Sequence, residues 1–337
     1  MNQTFQDFEV IFVDDCSTDN SAEIINSYVP KFNGRLQLVK LRKNSGGGGG
    51  GIPRNIGLGI ARGKYILLID SDDLITRDAL EKLYKIAEDT NADVLHGSAF
   101  LVTKDGREEI DNTTEFIIKS YERGWGMFDS PIIETNDLSE RIRLYRDRRF
   151  HWIVWNKLFR RDFLVVNNIK FPATASAEDM FFCFHCLCLA ERYVRIPIVF
   201  NIYRTTRGSS TRKPLTAAKN LKKWLTILIH GSKLLEDFMD SIDYFEQNPK
   251  FKHQVIDFLI LDFLHYTPGA YEQNTIDDVN EMLSKEMPDN SILFNHFFSI
   301  INVYRSNLIQ SQQMIDQMQN QIQSLQTKIK SLESNTN

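Results

Sequence analysis

Tyr65 to Ile69 are five apolar residues in a row, and Asp70, Asp72 and Asp73 follow within four positions. Three carboxylates at the end of a buried strand repel one another unless a cation sits among them. Oxygen donors of this kind suit a hard divalent cation, Mn2+ or Mg2+, which keeps several waters and takes one or two carboxylates plus phosphate oxygens from a substrate. The plainer reading is an acidic turn, with Asp72 and Asp73 favouring the N-terminus of a helix that begins near Thr76. Two further acidic pairs weigh against it. Asp14-Asp15 closes the apolar run FEVIFV, and Glu178-Asp179 opens the run MFFCFHCLCLAE. A carboxylate in that last position is either a general base or part of a helix cap formed by Ser176 or Asp179.

The elements that must position these acids alternate over the first hundred residues. FEVIFVD (8–14), LQLVKL (36–41), KYILLI (64–69) and ADVLHGSAFLV (92–102) read as strands. TDNSAEIINSYV, IPRNIGLGIAR (52–62) and RDALEKLYKIAEDT (77–90) read as helices between them. Strands spaced by helices of this length predict an α/β fold with a mostly parallel sheet covered on both faces. Ligands of such sheets bind off the carboxyl ends of the strands, so the Asp14 and Asp70 clusters should face one crevice.

Composition excludes several classes. The net charge of −4 argues against a nucleic-acid binder. No apolar run approaches a membrane span, and MNQTFQDFEV is too polar for a signal peptide. Four cysteines, three of them at Cys183, Cys186 and Cys188, make no disulfide framework. The expected compartment is the cytoplasm.

After Pro214 the pattern turns helical, giving expected regions of 1–213, 214–298 and 299–337. In the last region Ile301, Tyr304, Leu308, Ser311, Ile315, Met318, Ile322, Leu325, Ile329 and Leu332 alternate by three and four. That spacing predicts a parallel two-stranded coiled coil and a homodimer; a long helix packed on its own domain is the other reading. Lys219, Lys222, Lys223 and Trp224 beside Leu221, Leu225 and Leu228 form a basic amphipathic helix, either a solvated face or a peripheral contact at the inner face of the cytoplasmic membrane. The Cys183/His185/Cys186/Cys188 group lacks the second pair that a zinc site needs. Glycines 46–51 lack the Lys-Ser/Thr of a phosphate loop and read as a flexible loop. Since every glycine codon begins GG, the run is also consistent with a slippage-prone guanine tract and phase-variable expression.

VDDCSTDNS (13–21), KNSGG…IPRNIGLGIARGKYILLIDSDD (43–73), WNKLFRRDFL (155–164), AEDMFF (177–182) and YRTTRGSST (203–211) follow the order of the motifs of family-2 glycosyltransferases, which this chain resembles over about residues 3 to 213. The resemblance implies a GT-A fold and inverting transfer of a sugar from a nucleotide-sugar, UDP-linked in the expected case, to a hydroxyl of a surface glycan or lipid-linked acceptor. It implies Asp179, with Glu178, as the catalytic carboxylates. Asp14, Asp15, Arg54, Asp70, Asp72 and Arg207 would bind the nucleotide-sugar. Asp70 and Asp72 would be the D-x-D pair, with Asp72 the direct metal ligand. Ser209-Ser210-Thr211 would complete the loop that closes with Arg207 over the diphosphate or acceptor.

Family members open with a strand and helix ahead of the equivalent of NQTFQDFEV. Without that strand the sheet should show a central break of one strand width, about 4.8 Å on each side, with unpaired backbone groups. The two expectations this leaves are a start farther upstream or a weakly active chain. The competing reading is a catalytically decayed transferase domain that acts as an interaction protein through its coiled coil. A nucleotidyltransferase would add a basic, glycine-rich phosphate signature near the N-terminus, and a two-carboxylate glycosidase would need no nucleotide.

Overall fold

The computed structural model of the chain describes residues 2–46, 50–104, 114–119, 128–174, 178–204, 216–267, 281, 283–285 and 291–334. The chain divides into two compact units, Met1–Leu215 with Lys233–Phe251, and Thr216–Ser232 with Lys252–Asn337.

In the first unit β1 (Val10–Asp14) pairs in parallel with β2 (Leu36–Lys40), and α1 (Ser21–Tyr28) connects them. Next come α2 (Gly51–Ile60), β3 (Tyr65–Leu67), β4 (Leu74–Ile75) and α3 (Ala79–Thr90). α2 packs on β1 at Gly57, where a Cβ would sit at ordinary contact distance, 3.8 Å from the Val13 side chain. The strands β5 (Val94–Gly97), β6 (Phe100–Thr103), β7 (Phe116–Lys119) and β8 (Ile132–Ile133) precede α4 (Leu138–Arg146). Then follow β9 (Lys157–Arg160), α5 (Arg161–Val166), α6 (Glu178–Leu189), β10 (Tyr193–Ile196) and β11 (Asn201–Tyr203).

These strands form three sheets in the orders β1-β2, β3-β9-β5-β10-β8 and β4-β11-β6-β7. The α/β class expected from the alternation holds, but the central sheet is mixed rather than mostly parallel. The cause is β9, whose WNKLFRR residues insert antiparallel between β3 and β5. The apolar run ADVLHGSAFLV is two strands, not one. At Gly97 the chain changes partners: the Gly97 amide donates to the Asn156 carbonyl at 2.9 Å, and the Ser98 amide to Ile196 at 3.2 Å. Among the described residues β1 pairs only with β2, and β3 only with β9.

The core of this unit packs Ala79, Leu83 and Ala87 of α3 against Leu95, Leu158, Val194 and Phe200. Such burial contributes about 25 cal/mol per Å² of apolar area. α3 ends at Asn91, which takes the left-handed conformation (φ 52°) that asparagine tolerates. α6 is buried nearly all round: Met180, Phe181, Phe182, Cys183, Phe184, Cys186 and Leu187 all lie inside. Burial pushes the Cys183 thiol up to about 12, as suits a core side chain.

Helices supply the remaining order: α7 (Ala217–Asp240), α8 (Asp243–Gln247), α9 (Lys250–Tyr266) and α10 (Ile292–Ser334). In the second unit Leu225, Leu228, Ile256, Phe263, Leu293 and Phe297 are buried. Leu225 and Leu228 therefore serve the core, while Lys222 and Lys223 stay exposed. Among the described residues no helix is long and apolar enough to cross a membrane.

A Cβ at Gly97 would stand 2.7 Å from Asn156 Oδ1 and 2.8 Å from a Phe200 ring carbon, both in the packed centre. Gly97→Ala should cost about 1–3 kcal/mol, read as a lower urea midpoint. An unchanged midpoint would show that the switch from β5 to β6 is looser than described.

Candidate active site

The site is built on α2, whose first turn presents Arg54. One guanidinium nitrogen of Arg54 lies 3.0 Å from Glu178 Oε1 and 2.6 Å from Asp179 Oδ1; the other lies 2.9 Å from Asp70 Oδ1. Three carboxylates from two distant stretches thus converge on one cation. Residues around it fix its place. The Arg54 guanidinium lies over the Phe171 ring at 5.4 Å, and Phe171 stacks on Phe182 at 4.0 Å. Asn55 clamps the Phe171 backbone from both sides, donating to its carbonyl at 2.8 Å and accepting from its amide at 2.9 Å.

The end of the glycine run is part of this arrangement. The Gly50 amide donates to Glu178 Oε1 at 2.9 Å. A Cβ on Gly51 would come within 3.0 Å of the Pro172 carbonyl and 3.2 Å of the Phe171 Cβ. Gly51 is therefore tight against this backbone, whereas a Cβ at Gly50 would meet only the end of the Arg54 side chain, at 3.2 Å; residues 47–49 lie outside the described residues.

Burial pushes the Asp179 carboxyl up to about 7; Arg54 opposes the shift, and Glu178 and Asp70 add to it. Burial also works against the charge of Arg54, but Asp179, Asp70 and Glu178 hold its pKa above the ordinary value. Lys157 of β9 is buried close by and donates to the His151 and Ile153 carbonyls at 2.7 Å each. Its charge also favours ionised Asp179.

At the end of β3 the acids divide. Asp70 faces Arg54. Asp73 accepts the Arg204 amide at 3.0 Å, while its other oxygen is buried with no partner among the described residues. Burial pushes the Asp73 carboxyl up to about 7, and Asp70 and Asp72 raise it further. Arg204 also donates to the Asp72 carbonyl.

The sequence-derived candidates are thus only partly assembled. Asp70, Glu178, Asp179 and Arg54 meet in one cluster. The acids closing β1 make other bonds. Asp14 accepts the Ser17 amide at 3.0 Å. Asp15 accepts both the amide (2.8 Å) and the hydroxyl (2.7 Å) of Ser45. Arg207, Ser209, Ser210 and Thr211 lie outside the described residues, as does Ser176. Sequence reasoning missed Phe171, Asn55, Arg204 and Lys157. The motifs IPRNIG, WNKLF and YRTTRG carry three of them, while Phe171 has no motif of its own.

A half-buried carboxyl whose pKa is raised toward neutrality, next to a strand end with more carboxylates, can accept a proton beside a phosphate-bearing or cation-bearing ligand. Residues 1–164 match the model of Glycosyl transferase family 2. That part of the chain belongs to glycosyl transferase family 2. Among curated relatives, a poly(ribitol-phosphate) beta-glucosyltransferase of Bacillus spizizenii is 31% identical over 195 residues, which are 57% of this chain and 27% of that protein. The poly(ribitol-phosphate) beta-N-acetylglucosaminyltransferase TarP of Staphylococcus aureus is 31% identical over 57% of this chain and 52% of its own length. The chain thus spans about half or less of these two relatives. Among solved structures, residues 1–349 of S. aureus TarS in complex with UDP-GlcNAc superpose with a TM-score of 0.53 at 22% identity, covering 91% of this chain and 85% of that one. The fold is accordingly GT-A, and the Glu178-Asp179 pair lies just beyond the segment that the family model matches.

Arg54→Met should cost about 3 kcal/mol, because Glu178 (7% exposed) and Asp179 (24%) would lose their counter-charge in a largely buried place. Asp70 is 37% exposed and should add little. A carboxyl whose folded-state pKa is raised costs nothing below its unfolded pKa, and the cost grows to its full value above the folded pKa. Loss of Arg54 raises that folded pKa further, so the deficit should be larger at pH 8 than at pH 5.5. Urea midpoints at the two pH values check this, and a pH-independent deficit would contradict it.

Proposed function

We propose that this family-2 chain transfers a sugar from a nucleotide-sugar, UDP-linked, to a hydroxyl of a teichoic-acid-like surface glycan, with inversion and with a divalent cation. The observation that carries the reading is Asp179, a half-buried carboxyl raised to about 7 and held at 2.6 Å by the same guanidinium that holds the strand-end acid Asp70. The relatives' activity on poly(ribitol-phosphate) and the UDP-GlcNAc complex of TarS support the choice of substrates.

In the proposed reaction the acceptor oxygen attacks the anomeric carbon from the face opposite the diphosphate. The new C–O bond forms as the bond to the diphosphate oxygen breaks, and the hydroxyl proton passes to Asp179. Arg54 keeps Asp179 aligned, and Glu178 ties that alignment to Gly50 at the end of the glycine run. Asp14 and Asp15, set on the end of β1, are the proposed contacts to base and ribose.

The donor set at the end of β3 fits a divalent cation of the Mn2+ or Mg2+ type. It offers oxygen alone, and the buried Asp73 oxygen lacks a partner among the described residues. Asp72, with Asp70, would hold the ion. Among the described residues no three ligating side chains form a closed metal cage, so diphosphate oxygens would complete the coordination. Such a cation would neutralise charge on the leaving diphosphate.

Asp179→Asn keeps the side chain's size but cannot take the proton, so turnover should fall by roughly 10²–10⁴ with UDP affinity nearly unchanged. Near-normal transfer by this variant would reduce Asp179 to a structural carboxylate. In calorimetry, UDP should bind more tightly with Mn2+ than without, and Asp72→Ala should remove the difference. Metal-independent UDP affinity in the native chain would remove the cation from the account.

A further inference from the structure

α10 runs for 43 residues, about 64 Å of helix. Its first turns belong to the core of the second unit through Leu293, Phe297 and Ile301, all fully buried. Beyond them the helix leaves that core: every side chain from 306 to 326 is exposed. This stretch is rich in Gln, Ser and Asn, and helices of ordinary composition draw most of their stability from packing an apolar face. The apolar face is there. Leu308, Ile315, Met318, Ile322 and Leu325 are 37%, 47%, 57%, 53% and 59% exposed, on one seam of 3–4 spacing.

We propose that this seam packs against the same seam of a second copy of the chain, as a parallel, in-register, two-stranded coiled coil. Leu308, Ile315, Ile322 and Ile329 fall at the a positions, and Ser311, Met318, Leu325 and Leu332 at d. Branched residues at a with Leu or Met at d favour two parallel strands. In that arrangement each g position meets the e position five residues farther along the partner chain. By sequence these meetings are Asn307 with Gln312, Met314 with Gln319, Gln321 with Gln326, and Lys328 with Glu333. None sets like charges together, and the single charged meeting is attractive, so the helix complements itself. A membrane surface fits less well. The seam is narrow, and its polar positions carry Gln and Ser in place of the Lys- and Arg-rich face that anionic lipids select. This assembly does not depend on the proposed sugar transfer.

The test uses the full chain. Light scattering at tens of micromolar should give twice the mass of one chain. Ile322→Asp, placing a charge in the seam, should weaken the dimer by roughly 100-fold or more while leaving the rest of the fold intact, because Ile322 touches no core of its own chain. Register is read separately in a Cys16→Ser background, since Cys16 is the exposed native thiol. Leu325→Cys, at d, should cross-link to its own copy under mild oxidation, and Asn320→Cys, on the outer face, should not. A monomer, a trimer, a dimer that Ile322→Asp leaves unchanged, or a dimer that cross-links equally at 320 or not at all at 325 would each overturn the proposal.

Discussion

One guanidinium gathers the site. Arg54 is the cation on which Asp70, Glu178 and Asp179 converge, and these acids come from stretches of chain more than a hundred residues apart. Without it, two carboxylates at the start of a buried helix would face a third at a strand end with nothing between them. Such clusters persist only when each charge has a partner, because removing charge from water costs several kcal/mol per ion. The guanidinium suits this duty through its planar fork of donors, which reaches all three acids at once.

Its surroundings follow from that duty. Phe171 gives the guanidinium a flat apolar floor, and Asn55, the next residue of α2, holds Phe171 in place by its backbone. Gly51, the last glycine of the run, keeps the chain thin enough for α2 to begin against Phe171 and Pro172. Glu178 is divided between Arg54 and the Gly50 amide, which makes it a brace between the end of the glycine run and the Arg54 cluster. The glycine run thus has an architectural end, and no phosphate-loop chemistry is needed to explain Gly50 and Gly51.

Much of this was legible in the sequence. Acids after apolar runs mark strand ends, so Asp14 and Asp70 could be placed before any coordinates, as could the α/β alternation and the seam of α10. The partner of Asp70 was not legible: a strand-end carboxylate suggests a metal as readily as an arginine sixteen residues upstream. Local pattern says nothing about which distant segment folds back, and for that reason the insertion of β9 between β3 and β5 was missed. The two strands within ADVLHGSAFLV were merged because Gly97, buried under Asn156 and Phe200, carries no turn signal that polarity would reveal. Asp15 shows the limit from the other side. Its place at the end of β1 was anticipated, yet its hydrogen bonds go to Ser45, a residue with no chemistry of its own to draw notice.

Arg54 holds down the proton affinity of Asp179, the proposed base. The most direct test is the pH dependence of kcat/KM for donor turnover, followed as nucleoside diphosphate release, in the native chain and in Arg54→Gln. The native profile should rise with pH through about 7 as Asp179 ionises. Removing the positive charge should move that limb to higher pH by about one unit or more. A limb at the same pH in both proteins would contradict the account.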